Sequence, residues 1–288
     1  MKKIGTINEI KDSIHRNEFR IKKYFGQNFL VDQNILEQIV LKAGITKATN
    51  VIEIGPGLGS LTQKLLDASK HVLAYEIDKD LIPILNKEFS QYKNFTLIQN
   101  DILKVNIDEE IDRVFSDQSD IIVVSNLPYY ITTPILMKFL ETSKKVKKMV
   151  FMVQYEVAKR ITSKPNTKDY NALSIVIQYR ASASILFNVP KNVFIPEPSV
   201  DSAVIAVEVK NEIAHLADNE EFFFGFVHNS FTQRRKTLAN NLLFTYPSLN
   251  RDKIEQLLNA EHINVQIRSE ALSVDQMIDL SNRLIHLL

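Results

Sequence analysis

Between about residue 50 and residue 209 the chain alternates short apolar runs with longer amphipathic stretches. The strand-like runs cover 51–54, 72–76, 95–99, 121–125, 149–154, 185–189 and 204–209. Four of them (51–54, 72–76, 121–125 and 149–154) are apolar without alternation, the pattern of inner strands in a parallel sheet covered on both faces. Helical spacing occupies 34–43, 58–68, 80–88, 134–142 and 155–161. This rhythm predicts an α/β fold around a doubly wound, mostly parallel sheet of seven strands. Beyond Lys210 the pattern changes. Residues 220–243 predict one long helix with Phe222, Phe226, Val227 and Phe231 on its apolar stripe, and shorter helices follow around 251–258, 269–272 and 274–287. The expected division is an α/β domain over residues 1–210 and a small all-α domain over residues 211–288.

Composition narrows the chemistry. Among 288 residues, 45% are hydrophobic, which suits a full-sized core, and none is cysteine. Disulfides, thiolate metal sites and cysteine nucleophiles are therefore excluded, and no metal is expected. The amino-terminal residues lack the apolar run of a secretory signal, and no stretch approaches the ~20 apolar residues that span a bilayer. A soluble, cytoplasmic protein is expected, with no membrane partner. The net charge of +1 conceals an uneven distribution: 28 basic against 24 acidic residues in 1–210, and seven against ten from Asn211 onward. The basic clusters are Lys22-Lys23, residues 144–148, Lys159-Arg160-Lys164 and Arg234-Arg235-Lys236, and together they permit an RNA-binding surface.

The chain has only seven glycines, and Gly55, Gly57 and Gly59 stand together between the first buried run and the helix after it. Glycine there allows a tight turn and lets backbone N–H groups approach a ligand at the positive end of a helix. The spacing is G-x-G-x-G, not the G-x-G-x-x-G of dinucleotide folds. Glu76 ends the second run, where a carboxylate can accept both hydroxyls of a ribose. Asp78, just beyond it, is expected to cap the next helix. Asp101 follows the third run, where it can accept from a nucleoside amino group or cap a helix. In this order the residues fit a nucleoside lying across the carboxyl edge of the sheet.

Asn126-Leu127-Pro128-Tyr129 follows the fourth run and opens onto the same edge. The exocyclic nitrogen of adenine is a weak nucleophile, because its lone pair is delocalised into the ring. The Asn126 side-chain carbonyl and the Pro128 backbone carbonyl can each accept one N–H and turn the lone pair towards a methyl donor. Tyr129 offers a face on which an extruded base can stack, worth ~1–3 kcal/mol. The reaction is in-line displacement driven by positioning. It needs neither a metal nor a strong base, and that disfavours nicotinamide chemistry.

Several segments resemble one family. They are Phe25-Gly26-Gln27-Asn28-Phe29-Leu30, Glu53-Ile54-Gly55-Pro56-Gly57-Leu58-Gly59, Asn126-Leu127-Pro128-Tyr129-Tyr130, residues 193–203 and residues 231–238. From Lys22 onward the sequence is similar to the small-subunit (16S) rRNA adenine dimethyltransferases, the bacterial kasugamycin-sensitivity methylases and their eukaryotic relatives. The resemblance implies a Rossmann-like methyltransferase fold and S-adenosyl-L-methionine (SAM) as cofactor. It also implies dimethylation of two adjacent adenosines near the 3′ end of 16S rRNA in the assembling 30S subunit, by a monomer. It adds Gln27, Asn28, Leu30 and Glu53 to Gly55, Gly57, Glu76, Asp101 and Asn126 as cofactor-site residues. Without it, 28–30 read as an ordinary turn. It assigns Arg234, Arg235 and Lys236 to rRNA phosphate. Two positions depart from the family: Tyr155 stands where relatives commonly carry Lys, and Asn171-Ala172 where they commonly carry Gly. The rivals are a 23S rRNA adenine methylase of the macrolide-resistance type, a non-catalytic ribosome-assembly factor and a DNA adenine methylase.

Overall fold

Each of the seven apolar runs forms a strand of one sheet. The computed structural model describes residues 4–22, 25–115 and 119–288, so Lys23 of the first basic cluster lies outside the described residues. The strands in chain order are β1 (Phe29–Leu30), β2 (Asn50–Ile54), β3 (His71–Glu76), β4 (Phe95–Gln99), β5 (Ile121–Asn126), β6 (Lys148–Gln154), β7 (Ala181–Val189), β8 (Phe194–Ile195) and β9 (Ser202–Val209). The large sheet runs β4-β3-β2-β5-β6-β9-β7. Strands β2 to β6 are parallel to their neighbours, and β9 lies antiparallel to β6 from Lys148↔Glu208 to Gln154↔Ser202. Because β2 to β6 run the same way, their carboxyl ends share one edge, and the loops that follow them meet there.

The apolar runs do not alternate because both faces of the sheet are covered. Val51, Val72, Val124, Val150 and Val204 join one core cluster with Leu36, Leu61, Leu65 and Leu85. Those four leucines come from the helices α2 (Gln33–Ala43), α3 (Ser60–Ala68) and α4 (Ile82–Glu88), which follow α1 (Ile7–Arg16) in chain order. The alternate residues Ile52, Leu73, Val123 and Phe151 are equally buried. The remaining helices of the α/β part are α5 (Ile107–Val114), α6 (Thr132–Thr142) and α7 (Tyr155–Thr162). Residues 28–30, which without the family resemblance read as a turn, include the short strand β1. It pairs antiparallel with β8, Phe29 opposite Ile195 and Leu30 opposite Phe194.

The chain forms two compact units, and they correct the expected division. One comprises Met1–Ala158 with Ser184–Val209, the other Lys159–Ala183 with Lys210–Leu288. The boundary near Lys210 stands, but residues 159–183 belong to the helical unit. The reason is packing: Tyr170, Ile175 and Tyr179 are fully buried in one cluster with Phe223, Phe226, Val227, Leu242 and Met277. The helix α8 (Ala172–Arg180) starts at Asn171, whose side chain accepts from Leu173 N and Ser174 N while Ser174 returns a bond to the Asn171 N–H. The family departure at Asn171 is thus a reciprocal helix cap.

The long helix expected over 220–243 is two helices, α9 (Glu220–Ser230) and α10 (Leu238–Thr245), separated by a turn. Side chains from elsewhere take the last carbonyls of α9. The Asn241 amide donates to Ser230 O (2.8 Å) and Gln233 O (3.3 Å), and the Ser269 hydroxyl donates to Ser230 O. Thr237 then caps α10 by accepting from Asn240 N. The apolar stripe of α9 centres on Phe223, Phe226 and Val227, while Phe222 and Phe231 are only half-buried. Two further helices, α11 (Arg251–Ala260) and α12 (Val274–Leu284), complete this unit. No helix among the described residues is long and apolar enough to cross a membrane.

Candidate active site

The glycine loop leaves β2 at the carboxyl edge of the sheet. Gly55 N donates to Tyr75 O (2.8 Å) and Gly59 N to Pro56 O (2.9 Å), closing a tight turn into α3. Two of the glycines serve different purposes. At Gly59 (φ +85) a Cβ would fall 2.5 Å from the Phe89 ring, so this position is required by packing. At Gly55 (φ +65) a Cβ would meet nothing within 4 Å, because the residue faces an open cleft. The latter is a cradle for a ligand.

That cleft opens at the carboxyl edge of the sheet. Glu53, Gly55, Gly57, Glu76 and Asp101 line it from the ends of β2, β3 and β4. Asn126, Pro128 and Tyr129 line it from the end of β5, and Gln27, Asn28 and Leu30 from the amino-terminal segment. Glu76 is 4% exposed, and its carboxylate accepts from Gly57 N (3.3 Å) and Asp78 N (2.8 Å). Burial pushes its carboxyl up to about 7. Glu53 is buried beneath the loop. Burial, and secondarily the charge of Glu76, push it up to about 8, and its Oε2 has no hydrogen-bond partner among the described residues. Asp101 lines the cleft, and its Oδ1 caps the short turn Ile102–Lys104 by accepting from Leu103 N (3.0 Å).

At the end of β5 the Asn126 amide nitrogen donates to Asn28 O (3.1 Å), which fixes the other end of the amide as the acceptor. The Ser125 hydroxyl ties the same strand end to Ile54 O. Pro128 does not hold the place expected of it. Its carbonyl is turned into its own short helix, accepting from Ile131 N (3.2 Å) and the Thr132 hydroxyl (3.4 Å). Tyr129 is anchored by a 2.8 Å hydrogen bond between its hydroxyl and Ser202 Oγ at the start of β9.

Gln27 lines the cleft, but both ends of its amide are held by the protein. Oε1 accepts from Lys22 N (2.8 Å), and Nε2 donates to Asp78 Oδ2 (3.0 Å). Asp78 closes a turn by accepting from Asp80 N; it does not cap α4, whose N-cap is Leu81. Pattern reading missed the lining residues Phe25, Ile77 and Tyr130. Tyr130, 61% exposed, is the one that carried a signal, as a second aromatic beside the tetrapeptide.

Arg234, Arg235 and Lys236 lie in the helical unit, exposed on the turn between α9 and α10 and not on a helix face. Arg234 donates to Lys168 O (2.6 Å), and Asn166 N donates to Glu270 O (2.8 Å). These bonds, with that of Ser269, bring three turns together, and exposed Lys164, Lys168 and Arg268 join the cluster. The run 144–148 has a different placement. It leads into the amino end of β6, opposite the cleft edge, and Lys145 pairs with Asp112 and Lys148 with Glu208.

A seven-stranded sheet with one antiparallel insertion, a glycine cradle after its first long strand and acids at the next two strand ends defines a SAM-dependent methyltransferase. The family model described as ribosomal RNA adenine dimethylase matches residues 18–286, and the chain belongs to that family. It is 47% identical to the ribosomal RNA small subunit methyltransferase A of Bacillus licheniformis over 98% of both chains. It is also 47% identical to the protein of that name from Lactococcus lactis, over 99% of this chain and 97% of the other. Among solved structures, it resembles a dimethyladenosine transferase from Plasmodium falciparum (TM-score 0.72, 24% identity, 87% of this chain and 95% of that one). The 23S rRNA methyltransferase ErmE is also similar (TM-score 0.66, 25% identity, 89% and 99%). The enzyme dimethylates adenine in rRNA, with SAM as cofactor.

The residues present fit that cofactor. The open cradle at Gly55 suits close approach of its amino-acid end, the orphaned Glu53 oxygen suits a cationic donor, and Glu76 suits the ribose diol. A pH dependence follows. Both acids are neutral more often than usual in the free enzyme, and a ligand with positive charge and hydroxyl donors favours their ionised forms. SAM binding should therefore release protons near neutral pH, and affinity should rise from pH 6 through about 7 and towards about 8, where the amino group of SAM begins to lose its own proton. The rise should be about tenfold per unit at most for each group. Calorimetric titrations in buffers of different ionisation heat would detect the released protons, and a Kd constant from pH 6 to 9 would refute this.

Proposed function

We propose that this enzyme dimethylates two adjacent adenosines near the 3′ end of 16S rRNA in the assembling 30S subunit, acting as a monomer in the cytoplasm. The observation that carries the chemistry is the Asn28–Asn126 hydrogen bond, which aims an amide oxygen from the end of β5. The near-half identity to small-subunit methyltransferases over almost the whole chain supports the target, against 25% to ErmE.

SAM supplies an electrophilic methyl on a sulfonium. In this reading Glu76 accepts the ribose hydroxyls, Asp101 the adenine amino group of the cofactor, and the loop from Gly55 to Gly57 approaches its amino-acid end. Asn126 Oδ1 accepts one N–H of the target adenine. The backbone carbonyl of Leu127, a residue that lines the same cleft, accepts the other. Together they direct the nitrogen lone pair, and the anchored Tyr129 ring stacks on the base. After the first transfer a single N–H remains, and one acceptor suffices to orient it for the second. The basic turns around Lys168, Arg234, Arg235, Lys236 and Arg268 suit rRNA phosphate, a sequence-independent contact that positions the particle.

The test is incubation of separated 30S and 50S particles with labelled SAM, followed by mass spectrometry of the nucleosides. Dimethyladenosine confined to 30S particles is expected. Label confined to 50S particles or naked 23S rRNA would overturn the assignment.

A further inference from the structure

Asp78 stands outside the roles assigned so far, yet it is 1% exposed and surrounded by donors. Its Oδ1 lies 2.5 Å from Lys22 Nζ, which also reaches Asp80 Oδ2 at 2.6 Å. Its Oδ2 accepts from Gln27 Nε2, and its backbone N–H donates to Glu76 Oε1. A carboxylate costs several kcal/mol to bury unless donors surround it. This one is buried where the amino-terminal segment meets the loop after β3. The next residue after Gln27 is Asn28, whose carbonyl holds the Asn126 amide. Two hydrogen bonds, joined by the peptide between Gln27 and Asn28, thus connect Asp78 to the Asn126 amide.

We propose that Asp78 is a positioning residue for methyl transfer: through Lys22 and Gln27 it seats the segment carrying Asn28, so that the Asn28 carbonyl sets the orientation of Asn126. This rests on the methyl-transfer roles proposed above for Asn126 and Glu76. Asp78 is not among the residues that line the cleft. It fixes the register between two elements far apart in sequence, because Gln27 and Asp78 are separated by 51 positions. Its backbone bond to Glu76 does not depend on the side chain, and in Asp78→Asn the remaining oxygen can still accept from Asp80 N, so the substitution bears chiefly on the bonds to Lys22 and Gln27.

The contact can be inverted. Asp78→Asn points an amide nitrogen at Gln27 Nε2, donor against donor. Gln27→Glu sets two carboxylates against each other. Combined, the Asn amide donates to the Glu carboxylate, whose other oxygen still accepts from Lys22 N. Each single substitution should lower kcat at saturating SAM and rRNA by about tenfold and raise the Kd for S-adenosylhomocysteine several-fold, and the pair should return both to within about threefold of the parent. A merely structural role would lower the melting temperature without changing kcat in the folded fraction, so all variants are melted alongside. Single variants at the parental level, a pair no better than the singles, or losses that follow the unfolded fraction would each overturn the proposal. Should Asp78→Asn fail to fold, Gln27→Glu and the pair give the same comparison. If the parent enzyme methylated no RNA, the reading of the site would fail, while the S-adenosylhomocysteine titrations would still test the seating.

Discussion

Asn126→Ala should leave SAM bound within a few-fold of the parent and cut methylation by about 10²–10³, the range found when one preorganised hydrogen-bonding group is lost from an active site. The backbone of β5 is held by its ladders to β2 and β6 and by the Ser125 hydroxyl, so the Leu127 carbonyl and the Tyr129 ring should stay in place. What disappears is the acceptor for one adenine N–H, without which the lone pair returns to the ring. The loss should fall on kcat, since the acceptor matters most as the nitrogen becomes tetrahedral. Single-turnover assays with separate SAM titration would measure it. Turnover near that of the parent would reject the role given to Asn126.

Glu76→Ala should act on the other side of the cleft. Its carboxylate supports Gly57 N and Asp78 N from a position only 4% exposed. Truncation removes the ribose acceptor and strands those two donors, so SAM affinity should fall by about 2–5 kcal/mol, roughly thirtyfold to several thousandfold. The loss should be equal for SAM and S-adenosylhomocysteine, because the ribose is common to both. Titration of each would test this, and an unchanged Kd would reject the assignment. The two substitutions thus separate donor binding from base orientation.

The large sheet was legible because a parallel sheet covered on both faces demands runs that do not alternate, and those at β2, β3, β5 and β6 are buried almost throughout, Glu53 included. The glycine loop, Glu76, Asp101 and Asn126 were legible because each follows a strand, and strand ends fix a shared edge. Asn28 and Leu30 were reached only through family resemblance. The contact that gives Asn28 its purpose spans 98 positions, and no local pattern encodes it. Pro128 was misjudged because a proline carbonyl can be aimed in more than one direction, and the following Tyr129–Ile131 turn claims it. The break between α9 and α10 left no glycine or proline in 231–237 to read. Asn241 and Ser269 make it from a distance. Periodicity located α7, but it could not say on which core the chain after it would pack.

That last point reaches beyond the site. The chain passes between the two units three times, after residues 158, 183 and 209. The helical unit is therefore not an appendage that evolution could add or delete at the carboxyl terminus. A shortened chain ending at 209 would keep Ile175 and Tyr179 while losing the partners that cover them. Exchange of this unit between relatives would need three matched junctions in one recombination history. The surface proposed to meet RNA and the sheet that carries the cofactor cleft are thus inherited together.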